Sequence, residues 1–124
     1  MAVMNSKPKF DLEERTLEFA KNIRSFIKKI PKTIGNIEDS KQLIRSSGSI
    51  GANYIEANES LSRKDFLLRI KISKKEAKES LYWLRLLDVG GSEFLERERR
   101  QFIQEAVELG RIFGSILEKS KNMC

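Results

Sequence analysis

Residues 93–117 have the sequence EFLERERRQFIQEAVELGRIFGSIL, in which apolar and neutral side chains recur at alternating intervals of four and three. The positions that share this spacing are Leu95, Arg99, Phe102, Ala106, Leu109, Phe113 and Ile116. Because an α-helix has 3.6 residues per turn, the spacing places one stripe along one helix face. It therefore predicts an amphipathic helix, the fourth in the chain. Ser92 is its predicted N-cap and follows Gly90 and Gly91, which predict a tight turn.

The first helix is predicted to begin just after Asp11, which forms a capping-box pattern with Glu14. Its buried stripe consists of Leu12, Thr16, Phe19, Ile23, Phe26 and Ile30. Pro31 is expected to end this helix, because the residue before a proline avoids the α region. Residues 1–10 have no signal-peptide-like apolar stretch, and we interpret them as a short flexible arm.

The second helix is expected from about residue 37 to residue 59 and is the least regular of the four. Its predicted inward positions are Ile37, Ser40, Ile44, Ser47, Gly51, Tyr54 and Asn58. Residues 46–52 are nearly all small, and each glycine in a helix interior costs about 1 kcal/mol relative to alanine. Close approach of a neighbouring helix would offset that cost, and a break of the helix near Gly48 is the alternative.

The third helix is predicted to open at the cap pair Ser62 and Asp65 and to extend to about Leu87. It shares with the other three a face of regularly spaced apolar residues. Four such helices with short connections predict an all-α protein, an antiparallel up-down-up-down four-helix bundle over residues 11–121. Gly110 and Gly114, four residues apart in the fourth helix, suggest a close contact with a neighbouring helix.

The composition limits the catalytic and metal sites that the protein can form and indicates its cellular compartment. The 124 residues contain no histidine, which removes histidine-based catalytic triads and histidine metal sites. The single cysteine, Cys124, cannot form an internal disulfide, so we expect a reducing compartment, the cytoplasm. No apolar run approaches the ~20 residues that cross a bilayer, and no membrane association is expected.

Carboxylates near the predicted inner faces are the remaining candidates for a metal site. These are Glu56, Glu76 and Glu79. Pairing with Arg45, Lys75 or backbone groups explains them better than a carboxylate-only metal site, since bundle di-iron sites also require histidine. We therefore expect a protein that is not an enzyme and has no cofactor and no metal.

The net charge of +6 is concentrated in two segments, because residues 1–34 and residues 61–88 each carry eight basic groups against four acidic ones. The basic residues that share one side of the first or third helix are Lys21, Arg24, Lys28, Lys64, Lys71, Lys75, Lys78 and Arg85. Such stripes can follow a phosphate backbone, and a solvated face that confers solubility is the alternative. No interleaved aromatic platform is apparent, so we expect binding by charge and shape.

Two stretches resemble a known family. Residues 44–57, IRSSGSIGANYIEA, are similar to the R-x-x-x-S-I-x-x-N-I-x-E-G signature of four-helix-bundle proteins first noted as reading frames inside 23S rRNA intervening sequences. Residues 74–84, KKEAKESLYWL, resemble the same family, and the likeness extends from about residue 10 to residue 119. The polar residues of the two motifs are Arg45, Ser49, Asn53, Glu56, Glu76 and Glu79. Tyr54 and Ala57 replace the more usual Ile and Gly.

The resemblance implies a homopentamer around a central channel and no established enzymatic activity. Residues 109–115 also resemble helix four of the accessory proteins of diversity-generating retroelements, a related group that is pentameric, basic and associated with reverse transcriptase and RNA. Our leading hypothesis is a non-catalytic oligomeric protein that binds structured RNA or DNA. The alternative is a protein-interaction scaffold, such as an accessory subunit of a reverse transcriptase.

Overall fold

The computed structural model describes residues 11–121, which form four α-helices and, in that range, no strand. The helices are α1 (Leu12–Ile27), α2 (Ile34–Asn58), α3 (Arg63–Leu86) and α4 (Glu93–Lys121). Each helix packs on the next in the chain and α1 also contacts α4, so the four close into a ring. The predicted all-α four-helix bundle is confirmed. The predicted arm at residues 1–10 and Cys124 lie outside the described residues.

Three predicted helix starts are confirmed by their caps. Asp11 Oδ1 accepts a hydrogen bond from the Glu14 amide at 3.0 Å. The hydroxyls of Ser62 and Ser92 each accept, at 3.1 Å, from the amide three residues ahead. These bonds satisfy amides that have no partner within the helix. Gly90 and Gly91 have φ angles of 68° and 76°, the left-handed region that glycine adopts without strain.

Two predicted helix limits between α1 and α2 are wrong. α1 ends at Ile27, four residues before Pro31, and a turn carries the chain to the proline. α2 begins at Ile34 rather than near residue 37, because the Thr33 hydroxyl accepts from the Asn36 amide at 3.0 Å and caps an earlier turn. A helix that begins near residue 37 would leave this threonine in the connection.

α2 continues through Gly48 without the alternative break. A Cβ atom at Gly51 would lie 2.6 Å from Thr16 Oγ1, so α1 approaches α2 too closely there for any side chain. At Gly48 the nearest atom would be Arg24 Nη2 at 3.7 Å, an ordinary contact. The expected close approach of a helix therefore exists at Gly51 and not at Gly48.

The predicted stripe of α1 is buried along its whole length, whereas the stripe predicted for α2 is wrong at both ends. Ile37 is 44% exposed and Asn58 is also exposed, while Asn36 and Ala57 are buried instead. The true stripe lies about one residue earlier. Because the side chains in the middle of α2 are nearly all small, the apolar pattern does not distinguish its inner face.

Buried polar groups tie the helices together. The Ser46 and Ser80 hydroxyls lie 2.9 Å apart between α2 and α3, and the Ser73 hydroxyl donates to the Ile50 carbonyl at 2.9 Å. Buried hydroxyls that have partners avoid the penalty of lost hydration. Small serines at this contact also let α2 and α3 pack closely.

The two connections at one end of the bundle are joined by Asn36, which is 3% exposed. Its Nδ2 donates to the carbonyls of Pro31 and Asp88 at 2.9 and 2.8 Å, and its Oδ1 accepts from the Asp88 amide at 2.9 Å. This amide therefore holds the α1–α2 connection against the α3–α4 connection.

Candidate nucleic-acid interface

An open groove of about 770 Å³ runs along the outer side of the contact between α3 and α4. Its apolar and small lining residues are Leu81, Ala106, Val107, Gly110, Gly114 and Leu117. A Cβ atom at Gly110 would lie 4.0 Å from Ala77 Cβ, and one at Gly114 would lie 3.6 Å from Lys74 Cε. Both glycines therefore face α3 at ordinary van der Waals distance, so the suggested contact with a neighbouring helix exists, although it is less tight than the contact at Gly51. Their missing side chains also leave the outer side of this contact open.

The rim of this groove is basic. Five cationic side chains line it, namely Lys71, Lys74, Lys75, Lys78 and Arg111. The four lysines lie three or four residues apart or adjacent in α3, which places them along one side of the helix. Glu118 is the one carboxylate in the lining. Among the described residues, the five cations make a single ion pair within 4.0 Å, from Lys75 to Glu76 at 3.9 Å.

The groove continues at both ends into smaller concavities. Lys71 also lines a space of about 490 Å³ with Lys64 and Lys121. Lys75 and Lys78 line another, of about 460 Å³, with Glu79, Tyr82 and Trp83. The central groove and these two concavities are named the α3/α4 trough. From residue 64 to residue 82, at 1.5 Å per residue, it spans ~27 Å.

An aromatic pair closes one end of the α3/α4 trough. Tyr82 is 58% exposed, and its ring centre lies 5.0 Å from that of Trp83 at an interplanar angle of 77°. No aromatic platform interleaved with the basic residues is predicted from the sequence, and Tyr82 is the exposed ring that lines this end of the trough. Tyr82 lies four residues after Lys78 and therefore on the same side of the helix.

The predicted stripe on α1 lies elsewhere. Lys21 and Arg24 line a groove between α1 and α2, which is opposite the α3/α4 contact in the ring of helices. Lys21 pairs with Glu18 at 3.8 Å, and Arg24 Nη1 donates to the Ala20 carbonyl at 3.1 Å. Lys28 is exposed. The structure therefore does not bring the two predicted basic stripes together.

Four of the eight predicted basic residues line the trough. These four are Lys64, Lys71, Lys75 and Lys78. Arg85 is exposed and lies seven residues, about two helical turns, after Lys78. Sequence reasoning missed Lys74, Arg111 and Lys121. Lys74 is adjacent to Lys75 and was a visible candidate. Arg111 and Lys121 belong to α4, and their relation to α3 depends on how the helices pack.

The motif residues of α2 meet α3 at a different place. Asn53 Nδ2 donates to the Ser49 carbonyl and hydroxyl, both at 2.9 Å, while Asn53 Oδ1 accepts from Arg69 Nη1 at 2.9 Å. Arg69 was not a sequence candidate, because its partner is on another helix. Its Nε is buried and has no hydrogen-bond partner among the described residues. This cluster links α2 to α3.

The remaining motif residues are acidic or basic groups near the same face. Arg45, Glu56 and Glu79 are exposed, and Glu76 is half-buried. Burial raises the pKa of Glu76, and repulsion from Glu79 adds to the rise, while Lys75 and Arg45 oppose it. Within residues 11–121, no group of three His, Cys, Asp or Glu residues is arranged to hold a metal ion. None of the described helices is long and apolar enough to span a membrane.

Comparisons with known proteins identify relatives of the whole bundle. A family model described as 23S rRNA-intervening sequence protein matches residues 9–115. A crystal structure of a protein with unknown function from the S23 ribosomal protein family of Bacteroides thetaiotaomicron is 32% identical to this chain. The match covers 85% of this chain and 96% of that one, with a TM-score of 0.70. No curated protein matches the chain.

Proposed function

This chain belongs to the family of 23S rRNA-intervening sequence proteins, and we propose that it is a non-catalytic protein that binds nucleic acid through the α3/α4 trough. The observation that carries the proposal is the cationic lining of the trough. Five cations surround the central groove, and among the described residues they share one long ion pair. Neighbouring unpaired cations repel one another, and a polyanion relieves that repulsion.

The physical basis of such binding is the release of counterions. A cation that neutralises a phosphate frees a condensed ion, so affinity falls steeply as salt rises. The trough presents no module that reads base edges in a duplex groove, so binding selects charge and shape over sequence. Structured RNA and DNA are the proposed ligands.

The proposed functional unit is a homo-oligomer, with five subunits as the family resemblance implies. Large apolar side chains exposed on the single chain support assembly: Leu17 is 49% exposed, Ile55 46%, Leu68 54% and Leu86 49%. Exposed apolar area of this kind is a candidate subunit contact. Repeated troughs in one particle would also raise the affinity for a long polyanion. The mass of the particle by multi-angle light scattering tests this part, and a monomer at micromolar concentration would contradict it.

The test of nucleic-acid binding removes three positive charges from the trough and compares the affinity with that of a variant that loses three positive charges elsewhere. The trough variant is K71Q/K75Q/K78Q, and the matched control is K21Q/K28Q/K32Q on exposed sites of α1 and the segment after it. Each phosphate contact contributes about 0.7 to 0.9 to the slope of log affinity against log salt. Three lost contacts should weaken binding about 100-fold at 0.1 M salt and reduce the slope by about 2 to 3 per trough.

Fluorescence anisotropy with a labelled RNA hairpin and a DNA duplex, at several salt concentrations, measures both quantities. The control variant should lose less than tenfold. Equal losses in the two variants would show that net charge, and not the trough, holds the ligand. No binding by the unmodified protein at 20 mM salt would overturn the proposed function.

A second candidate function is that of an accessory subunit for a nucleic-acid enzyme such as a reverse transcriptase. The apolar floor of the central groove favours it, since an acidic amphipathic helix could lay its apolar face on the floor and its carboxylates on the lysines. In this case free RNA would bind weakly. The charge reversal K71E/K75E/K78E would then release a protein that co-purifies with the unmodified chain.

A further inference from the structure

The end of the α3/α4 trough at Tyr82 differs chemically from its middle. The middle has five cations around an apolar floor and one carboxylate, that of Glu118, whereas the end has two lysines, the carboxylate of Glu79 and the exposed phenol ring of Tyr82. With fewer cations for its carboxylate, the end favours the phosphates of a ligand less than the middle does. An exposed aromatic face favours a flat, uncharged group. The end of the trough is therefore suited to a nucleobase, with the phosphates held by the neighbouring lysines.

The lysines and the ring of Tyr82 are spaced so that one strand could contact both. Lys75, Lys78 and Tyr82 are separated by three and four residues, so they follow one side of α3 at successive helical turns. Trp83 lies against Tyr82 in an edge-to-face arrangement. Tyr82 is nevertheless 58% exposed, so much of its ring is open to a ligand.

A duplex would not use these features. Its bases are stacked inside the helix, and it presents mainly phosphates, for which the lysines alone would suffice. An unpaired strand presents phosphates and bases together, and proteins hold it with a basic groove that carries aromatic stacking surfaces. The apolar floor around Gly110 and Gly114 likewise offers contact area to bases and not to phosphates.

We infer that the trough binds unpaired nucleotides of RNA or single-stranded DNA, with phosphates on the lysines of α3 and one base stacked on Tyr82. This inference rests on the proposed function and narrows its ligand class to single strands, loops and bulges. Stacking is tolerant of base identity, so the preference is for unpaired structure and not for a sequence.

The experiment uses Trp83, the one tryptophan of the chain, as a reporter beside the stacking site. A 12-nucleotide oligo-U, a 12-nucleotide mixed-sequence RNA and a 12-base-pair RNA duplex are titrated into the protein at 50 and 150 mM salt. Trp83 fluorescence and the anisotropy of labelled RNA are recorded together. The single strands should bind at least fivefold more tightly than the duplex and should quench Trp83.

The variants separate stacking from charge. Tyr82→Leu keeps apolar volume at an exposed helix position and should weaken single-strand binding about tenfold, with duplex binding unchanged within twofold. Tyr82→Phe keeps the ring and should bind as the unmodified protein does. Phe94→Leu is the matched control, because Phe94 is another exposed ring, 56% exposed, on α4 and outside the trough. It should change nothing.

Three results would overturn the inference. Equal binding of strand and duplex with no effect of Tyr82→Leu would leave the proposed function standing and remove the stacking site. Loss of particle mass in light scattering on Tyr82→Leu would show that the ring is a contact between copies of the chain. Absence of salt-sensitive binding to any of the three RNAs would remove the proposed function and the inference together.

Discussion

The two sides of α4 differ in whether the cations beside them are paired with carboxylates. Toward α1, carboxylates of α4 neutralise the cations: Arg15 Nε lies 2.7 Å from Glu105 Oε2 and its Nη2 lies 2.9 Å from Glu108 Oε1, while Lys29 pairs with Glu98 at 2.8 Å. Toward α3, α4 lines the groove with two glycines and a single carboxylate, that of Glu118, and the lysines across the groove have no short ion pair among the described residues. Ion pairs therefore join α4 to α1, whereas the cations beside the α3/α4 contact keep their charge available.

The side chains that α4 presents also differ between its α1 side and its α3 side. On the α1 side, the ring of Phe102 lies 6.3 Å from that of Phe19 and 5.3 Å from that of Phe26, both of which are buried. On the α3 side, α4 presents small residues that leave an open groove. Burial of apolar surface is the main source of stability, so the ring of Phe102 should contribute more of it than a side chain that lines the open groove.

The largest effect expected from this difference is that of Phe102→Ala. Removing the ring leaves a cavity against two buried phenylalanines, and we expect a loss of about 3 kcal/mol in the free energy of unfolding. Val107→Ala, in the groove lining, is the matched change and should cost less than about 1 kcal/mol, because its side chain already borders open space. Urea unfolding followed by circular dichroism measures both. Equal losses would mean that the groove is filled in solution.

The ion pairs of the α1/α4 contact give a smaller effect that depends on pH. Arg15→Gln removes a two-pronged bond to Glu105 and a third bond to Glu108, and it should cost about 1 kcal/mol at neutral pH because the site is partly solvated. The hydrogen bond from Gln104 and then that from Arg15 lower the pKa of Glu108, and that from Arg99 lowers the pKa of Glu96.

A lowered carboxylate pKa fixes the sign of the pH dependence. The stability that the carboxylate contributes is complete above its ordinary value of 4.5 and is lost as the pH falls through its depressed value. The difference between Arg15→Gln and the unmodified protein should therefore be constant from pH 7 to about pH 5 and shrink below 4.5. Lys78→Gln, on the other side of α4, should change stability by less than about 0.5 kcal/mol at any of these pH values. A difference for Arg15→Gln that grows as the pH falls below 4.5 would contradict this account.

The sequence predicts those features of the two sides of α4 that depend on residues within one helix. It does not predict those that depend on how two helices pack. The α1 stripe and the three caps depend on residues of a single helix, and the predictions for them are confirmed. The lysines of α3 are likewise visible in one helix. The groove needs α4 as well, and nothing in the sequence shows that Gly110 and Gly114 face α3. Nor does it show that Glu105 and Glu108 reach Arg15, some 90 residues earlier.

The smallest predicted effect concerns the glycines and has the opposite sign. Alanine is preferred to glycine in a helix interior by about 1 kcal/mol, and this gain is available wherever a methyl group fits. At Gly114 the new Cβ would meet only the mobile end of Lys74, at 3.6 Å, so Gly114→Ala should raise stability by up to about 1 kcal/mol. Gly51→Ala carries the same propensity gain but places its Cβ 2.6 Å from Thr16 Oγ1, and it should lower stability.

Thermal unfolding of the two variants measures these changes. The gain in helix propensity is the same at both sites. The difference in stability between the two variants therefore measures only the contacts that each new methyl group makes. A destabilised Gly114→Ala would mean that α3 and α4 approach more closely than the open groove requires. A stabilised Gly114→Ala that no longer binds RNA would show that the glycine is kept for the width of the groove and not for the packing of the bundle.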